Sequence, residues 1–211
     1  MNPLTRKAFL GIGATVLGMS AFGGVTKALA VTENVLRPPA VVDEGDFAAR
    51  CIKCQRCIES CHTKALVPAT LEDGLLVARS PKFDFHRGSC DFCGACSWVC
   101  PTAAIAAVDP EDPGAACIGV AVIQTDRCIA YSNGCQECES ACPYGAITLD
   151  ESGYPAIDDA VCNGCGVCEN VCPALVYRSF SGGTRRGVVI VKTAQKADAM
   201  RERFAAEGAV Q

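Results

Sequence analysis

The sequence has few large side chains and no basic excess of charge. Aromatic residues make up 6% of its 211 residues, and it has two histidines and one tryptophan. Because such a chain can bury little large-side-chain area, part of its stability must come from cross-links or bound metal. The formal net charge of −4 offers no basic surface to a nucleic acid, so we expect no nucleic-acid partner.

The motifs of a substrate site are also missing. The sequence has no Ser/His/Asp or Cys/His arrangement for nucleophilic catalysis, no phosphate-binding loop and no flavin or nicotinamide fingerprint. The segment from Gly11 to Val16 lacks the third glycine of a dinucleotide loop, and no predicted strand precedes it. We therefore expect no substrate site in this chain. Any enzymatic activity would belong to the oxidoreductase complex of which the chain is an electron-transfer subunit.

Cysteine, by contrast, is abundant, with 17 residues in the chain. Sixteen of them form four quartets. Three quartets have the spacing C-x2-C-x2-C-x3-C, and the third quartet widens its first gap to six residues. The quartets are Cys51, Cys54, Cys57 and Cys61; Cys90, Cys93, Cys96 and Cys100; Cys128, Cys135, Cys138 and Cys142; and Cys162, Cys165, Cys168 and Cys172.

This spacing is typical of iron–sulfur ligation. Three closely spaced thiolates can bind one cuboidal cluster, and the fourth ligates the other cluster of a two-cluster ferredoxin. Gly94, Gly164 and Gly166 supply backbone freedom for such loops. Zinc sites use separated C-x2-C pairs, and disulfides would require many pairings between near neighbours. The sequence therefore predicts four [4Fe–4S] clusters, with all 16 quartet cysteines as cofactor-binding metal ligands.

The grouping of the quartets has two solutions. If the first pairs with the second and the third with the fourth, cross-ligation gives four ligand sets. These sets are Cys51, Cys54, Cys57 and Cys100; Cys61, Cys90, Cys93 and Cys96; Cys128, Cys135, Cys138 and Cys172; and Cys142, Cys162, Cys165 and Cys168. A nested grouping, with the second and third quartets inside the first and fourth, stays open.

Three further residues carry hypotheses. Cys117 lies outside the quartets among apolar residues and is expected to be a small buried hydrophobe. Trp98, inside the second quartet, is expected to shield a cluster from water. His62 stands where proline follows the other quartets, and it either replaces that proline or tunes the first cluster by ligation or a hydrogen bond.

The first thirty residues have the pattern of a targeting segment. Arg6 and Lys7 precede an uncharged stretch that ends near Ala28-Leu29-Ala30, as in a cleavable signal peptide. The TRKAFL motif is similar to a twin-arginine (Tat) signal, with lysine as the second basic residue. Tat export of a folded protein would allow metal centres to form before transport, and an uncleaved N-terminal anchor is the alternative.

The sequence predicts an α+β fold of two tandem bacterial-type 2[4Fe–4S] ferredoxin modules, built from short β-hairpins and short helices, with a C-terminal strand–helix tail. The predicted organisation is a Tat-like signal over 1–30, an extended linker over 31–48, modules over 49–113 and 114–180, and a tail over 181–211.

Several elements of these modules are predicted individually. Strands are expected at Ala121–Thr125, Ala146–Leu149 and over 188–192, and turns at 73–74 and 151–154. A helix is expected from Thr193 to about Glu207, and a Pro/Gly-rich loop over 108–116 is the expected module boundary.

The leader, the LRPPA segment, the four quartets and the widened motif CIAYSNGCQECESACP together resemble the NapG/MauM family of periplasmic ferredoxin-type proteins. The resemblance implies a polyferredoxin in the periplasm or on the outer face of the cytoplasmic membrane. It implies electron transfer from a membrane-bound quinol-oxidising partner of the NapH type to a periplasmic reductase, for which a molybdenum-dependent enzyme is one candidate. Two alternatives are an iron–sulfur subunit of a molybdenum-containing oxidoreductase and a maturation factor for a periplasmic redox enzyme. Lys7 and His62 depart from the family pattern.

Overall fold

The structure, a computed structural model, describes residues 35–41, 43–108, 116–174, 186–192, 198–199 and 201–202. It is a mixture of short helices and short strands. The helices are α1 (Glu44–Arg50), α2 (Arg56–Ser60), α3 (Ala95–Trp98), α4 (Ala130–Asn133), α5 (Glu137–Ser140) and α6 (Val167–Val171), with a 3-10 turn at Leu71–Asp73. The strands are β1 (Leu66–Pro68), β2 (Pro81–Phe83), β3 (Val120–Ile123), β4 (Ile147–Leu149), β5 (Pro155–Ile157) and β6 (Val188–Val191).

The strands pair as three antiparallel ribbons, β1 with β2, β4 with β5, and β3 with β6. Val120 lies opposite Val191, and Ile123 lies opposite Val188. Both of these strands are rich in β-branched residues, which fit a pleated, half-buried surface. The third ribbon therefore joins a strand that precedes the third quartet to one that follows the fourth.

The predicted elements agree with these strands to within two residues. Strands at Val120–Ile123, Ile147–Leu149 and Val188–Val191 confirm the three strand predictions. The turn at 73–74 is the end of the 3-10 turn, where Gly74 has φ 119°. The predicted leader and the loop over 109–115 lie outside the described residues. So does most of the predicted C-terminal helix, of which residues 198–199 and 201–202 are helical.

The extended linker predicted over 31–48 is wrong for its described part. Val35, Leu36 and Arg37 are buried, and α1 begins at Glu44. The helix has an ordinary N-terminal cap, because the Asp43 side chain accepts a hydrogen bond from the backbone N–H of Asp46 at 2.6 Å. This segment is therefore part of the folded body.

Arg37 anchors the N-terminal segment to the first ribbon. It is 4% exposed, and its Nη1 donates to Ser80 Oγ and to the Pro81 carbonyl, each at 2.8 Å. Its Nε donates to Glu44 Oε1 at 2.8 Å, and its guanidinium lies 4.7 Å from the centre of the Phe47 ring. These contacts satisfy a buried cation with hydrogen bonds and an aromatic face.

One hydrophobic core extends through both halves of the chain. Phe47, Phe83 and Phe85 from the first half belong to the same cluster of buried side chains as Ile118 and Ile190 from the second. Several quartet cysteines line this core, so the cysteine loops are themselves part of the packed interior. Within the described part of the chain, no helix is long and apolar enough to cross a membrane.

Candidate iron–sulfur sites

Three cavities of similar size lie at the cysteine loops, and each is lined by four thiols. Together with the solvent space at their mouths, they measure about 340, 330 and 310 Å³. The cavity of the first site is lined by Cys51, Cys54, Cys57 and Cys100; that of the second site by Cys61, Cys90, Cys93 and Cys96; and that of the fourth site by Cys142, Cys162, Cys165 and Cys168. In each case three thiols come from one quartet and one from its partner.

A third site is formed by the remaining quartet cysteines. Cys138 lies close enough to Cys128, Cys172 and Cys135 for their charges to raise its pKa. Cys128 in turn has Cys172 and Cys135 as its charged neighbours. The structure thus gathers the 16 predicted ligands into four groups of four, joining the first quartet with the second and the third with the fourth.

The loops that carry the thiols share a backbone path. In the first, second and fourth quartets, the residues just before and just after the second cysteine both have positive φ. These residues are Lys53 and Gln55 (φ 55° and 66°), Phe92 and Gly94 (57° and 72°), and Gly164 and Gly166 (73° and 78°). The glycine prediction is therefore confirmed, but three of the six positions carry side chains that sequence reasoning missed.

The third residue after the last cysteine repeats the same conformation. Lys64, Ala103 and Gly145 follow the first three quartets at this position, with φ of 59°, 51° and 63°. Non-glycine residues are uncommon at positive φ, and they are found where the surrounding structure determines the backbone. These residues lie at the same distance in sequence from the cysteines of each quartet. That fixed spacing would have identified them, because their residue types do not indicate positive φ.

Burial makes the isolated thiols poor acids. Desolvation, reinforced by Cys96 and Cys51, raises the pKa of Cys57 to about 12. Desolvation also raises the pKa of Cys90 and of Cys138 to about 12, and the neighbouring thiols act in the same direction. Buried thiols of this kind become thiolates when a cationic centre compensates their charge.

Cys100 has a different environment. Burial opposes its ionisation, but backbone N–H groups of Ile105, Thr102 and Ala104 donate toward its sulfur and lower its pKa. The cysteine that the second quartet contributes to the first site is therefore a stronger acid than Cys57 in the same site. The donor set of four soft sulfurs and the free state of all 17 cysteines fit iron–sulfur clusters.

Side chains around the thiols add hydrogen bonds to sulfur. Thr63 Oγ1 lies 3.3 Å from Cys61 Sγ, and Thr102 Oγ1 lies 3.7 Å from Cys100 Sγ. Each threonine is two residues after the last cysteine of its quartet. Hydrogen bonds to ligand sulfur influence the potential of a cluster, so these positions belong to the site.

His62 lies at the second site. The hypothesis that it tunes the cluster of the first site is therefore wrong. Its Nε2 is 2.8 Å from Asp91 Oδ2, and its Nδ1 is 3.8 Å from Cys93 Sγ. The fourth cysteine of the first quartet, Cys61, belongs to the second site, so the residue that follows it is carried there as well.

Two other predictions are wrong. Trp98 is 80% exposed and so does not shield a cluster, because it is the last residue of a one-turn helix that faces solvent. Cys117 is exposed rather than buried, and its thiol donates to the Gly119 carbonyl at 3.4 Å.

Comparison with known proteins agrees with this geometry. A family model described as a 4Fe-4S dicluster domain matches residues 89–146 and 127–176, and a second with the same description matches residues 50–105. The ferredoxin-type protein NapG of Escherichia coli K12 is 33% identical over 156 residues, which cover 69% of this chain and 67% of NapG.

The methylamine utilization ferredoxin-type protein MauM of Methylophilus methylotrophus is 34% identical over 171 residues, covering 74% of this chain and 75% of MauM. The chain belongs to the NapG/MauM family of ferredoxin-type proteins. This confirms the resemblance seen in the sequence. NapF of Escherichia coli K12, another ferredoxin-type protein, is 30% identical over 134 residues, covering 61% of this chain and 74% of NapF.

As a NapG/MauM family member with dicluster domains, the chain is an iron–sulfur protein of electron transport. The match over 89–146 spans the second and third quartets, whereas the cavities join the first with the second and the third with the fourth. All four quartets repeat similar spacings, so a two-cluster family pattern matches any consecutive pair. The cavities depend on the fold and therefore distinguish the groupings.

Proposed function

We propose that this chain binds four [4Fe–4S] clusters and relays electrons from a membrane-bound quinol-oxidising partner of the NapH type to a periplasmic reductase. The observation that supports four clusters is the gathering of 16 thiols into four groups, three of them around cavities of nearly equal volume. Bound clusters supply one-electron redox chemistry.

The chain's own residues bind and insulate the clusters. Three cysteines of one quartet and one of its partner are the proposed ligands of each, in the four sets that the structure brings together. Phe47 and Ile105 line the first cavity, Phe83 and Phe92 the second, and Ile147 and Ile190 the fourth. These apolar walls exclude water, and solvent exposure is one of the properties that sets a cluster's potential.

Two of the proposed ligands reach the surface. Cys54 of the first site and Cys93 of the second are exposed. An electron-transfer protein exchanges electrons with separate partners, and exposed ligand sulfur brings the redox centre close to a docked partner. Tat export, a periplasmic location and the modules over 49–113 and 114–180 are parts of this proposal, because they are expected from the sequence.

The first test is anaerobic purification followed by iron analysis and EPR spectroscopy. We expect about sixteen iron atoms per chain and reduced-cluster signals after dithionite. A preparation with zinc and no iron, or one without EPR signals after reduction, would refute the cluster assignment. Reduction of the loaded protein by a quinol in vesicles that contain the NapH-type partner, but not in vesicles without it, would support the proposed electron donor. Equal reduction in both would contradict it.

A further inference from the structure

The loops of the second and fourth sites meet where the two halves of the molecule pack together. The backbone N–H of Cys90 donates to the carbonyl of Cys165 at 2.8 Å. Cys90 lines the second cavity and Cys165 lines the fourth. The backbones of these two cysteines are therefore connected by one hydrogen bond.

The walls of the same two cavities also touch. Phe92 lines the second cavity and Tyr144 lines the fourth, and their rings meet edge to face with centroids 6.4 Å apart. Phe92 is 1% exposed, so this contact is inside the protein. An aromatic contact of this kind stabilises the packing beyond the area it buries.

Neighbouring contacts fix the two loops against each other. Asn170 Nδ2 donates to the Phe85 carbonyl at 2.9 Å. Gly166, one residue after Cys165, lies against the Phe85 ring so closely that a Cβ there would be 2.1 Å from a ring carbon. Glycine at this position therefore permits the close approach as well as the positive φ.

Within each half, the sites are also neighbours. Helix α2, which carries Cys57 of the first site, packs against α3, which carries Cys96 of the second. Helix α5, which carries Cys138 of the third site, packs against α6, which carries Cys168 of the fourth. These proximities connect the first site with the second and the third site with the fourth.

We propose that electrons pass between the two halves at the junction of the second and fourth sites, so that the four sites act in the order first, second, fourth, third. This inference rests on the proposed function. One electron leaves a site in one half and enters a site in the other, and no bond forms or breaks. The functional order then differs from the order of the quartets in the sequence, which would place the third site next to the second.

The order is tested by magnetic coupling between reduced sites in the full chain. We would compare a fourth-site variant, Cys165→Ala/Cys168→Ala, with a third-site variant, Cys135→Ala/Cys138→Ala, after dithionite reduction. Each should lose about four iron atoms per chain. Loss of the fourth site should leave the third without a neighbour, which gives a simple uncoupled EPR signal. Loss of the third should leave three coupled sites and no isolated signal. The reverse pattern would overturn the proposed order.

If the alanine variants lose the clusters of both sites in the second half, serine variants provide a second test. Cys168→Ser and Cys138→Ser each keep an oxygen ligand and alter the spectrum of one site. We expect only Cys168→Ser to change the coupled signal of the first half. A change caused by Cys138→Ser alone would contradict the junction. Absence of iron from the unsubstituted protein would instead refute the proposed function, so the two failures are distinguishable.

A steric variant tests the junction with every cysteine retained. Gly166→Ala should push the Phe85 ring away and weaken the coupling between the halves. Its matched control is Gly153→Ala, because Gly153 also has φ 78° but a Cβ added there would have nothing within 4 Å. The control should keep the coupling of the unsubstituted protein. Equal coupling in both variants would show that the halves do not communicate through this contact.

Discussion

The first and fourth quartets follow the same backbone path, but the first has residues with side chains at the positions where the fourth has glycines. The path has positive φ at Lys53 and Gln55 in the first, and at Gly164 and Gly166 in the fourth. Lys53 and Gln55 are partly exposed, whereas both glycines are buried against other parts of the chain. The spacing of the cysteines therefore fixes the backbone, and what packs on the loop decides whether a side chain is allowed.

The largest effect should come from filling the one of these two glycine positions that packs against backbone. A Cβ on Gly164 would lie 2.4–2.7 Å from backbone atoms of Gly119, which cannot rotate away. Adding the positive-φ penalty to overpacking, we expect Gly164→Ala to destabilise the protein by about 3–5 kcal/mol. Thermal unfolding and iron content under anaerobic conditions would measure this.

Gly153→Ala is the control that measures the cost of positive φ without overpacking. Gly153 has a similar φ, and a Cβ added there would have nothing within 4 Å. We expect it to lose only about 1–2 kcal/mol. If the two alanine variants melted at the same temperature, packing would not explain why the fourth quartet has glycine.

The two halves also differ in the sign of their buried charge. Arg37 is buried in the first half, and Glu169, which accepts a hydrogen bond from the Ile190 backbone at 2.8 Å, is buried in the second. Glu44→Ala would leave the Arg37 guanidinium without its carboxylate. We expect a loss of about 2 kcal/mol, less than for a fully buried pair because the Glu44 side chain is 31% exposed.

Thermal unfolding of Glu44→Ala, compared with the exposed substitution Asp46→Ala in the same helix, would measure this loss. Asp46 pairs with Arg50 at the surface, where an ion pair contributes at most about 1 kcal/mol. A larger loss for Asp46→Ala than for Glu44→Ala would contradict the role given to the buried cation.

Sequence reasoning found the four groups of cysteines, the short strands and the family because each depends on a local pattern: cysteine spacing, runs of valine, and the widened third motif. It missed Arg37, the exposure of Trp98 and the position of His62, because these depend on which segments meet in the fold. His62 is the clearest case, since the preceding residue, Cys61, lines the second cavity and so places His62 there. The non-glycine residues at positive φ were missed for a different reason: their position relative to the cysteines marks them, whereas their residue type does not.

The buried carboxylate of the second half predicts a pH dependence. Desolvation raises the pKa of Glu169 to about 7, against the opposing hydrogen bond from Ile190 and the charge of Arg186. The fold therefore favours the neutral acid, and its contribution to stability is complete below about pH 4.5 and is lost as the pH rises through 7. The thermal midpoint should therefore fall as the pH rises from about 4.5, the ordinary pKa, to about 7, the raised one.

Glu169→Gln should make the thermal midpoint less dependent on pH across this range, because glutamine does not ionise. Glu137→Gln, at an exposed position in α5, serves as the matched control and should keep the slope of the unsubstituted protein. An unchanged slope in Glu169→Gln would show that another group controls the pH dependence.

The smallest effect should be a gain in stability in the first quartet. Gln55 has φ 66°, and glycine adopts this conformation without the penalty of a Cβ. Part of the benefit is lost to the greater freedom of glycine in the unfolded chain, so we expect Gln55→Gly to stabilise by about 0.5–1 kcal/mol. A lower melting temperature for Gln55→Gly would indicate that the glutamine side chain itself stabilises the loop.

The ribbon of β3 and β6 has a consequence for how the chain is made. During synthesis on a ribosome, the first half of the chain emerges complete while β6 has yet to be translated. Until β6 arrives, β3 has an unpaired edge, and such edges readily pair with other chains. Closure of the second half therefore waits until β6 has been translated, and a nascent chain that stops before Val188 would present an aggregation-prone strand to chaperones.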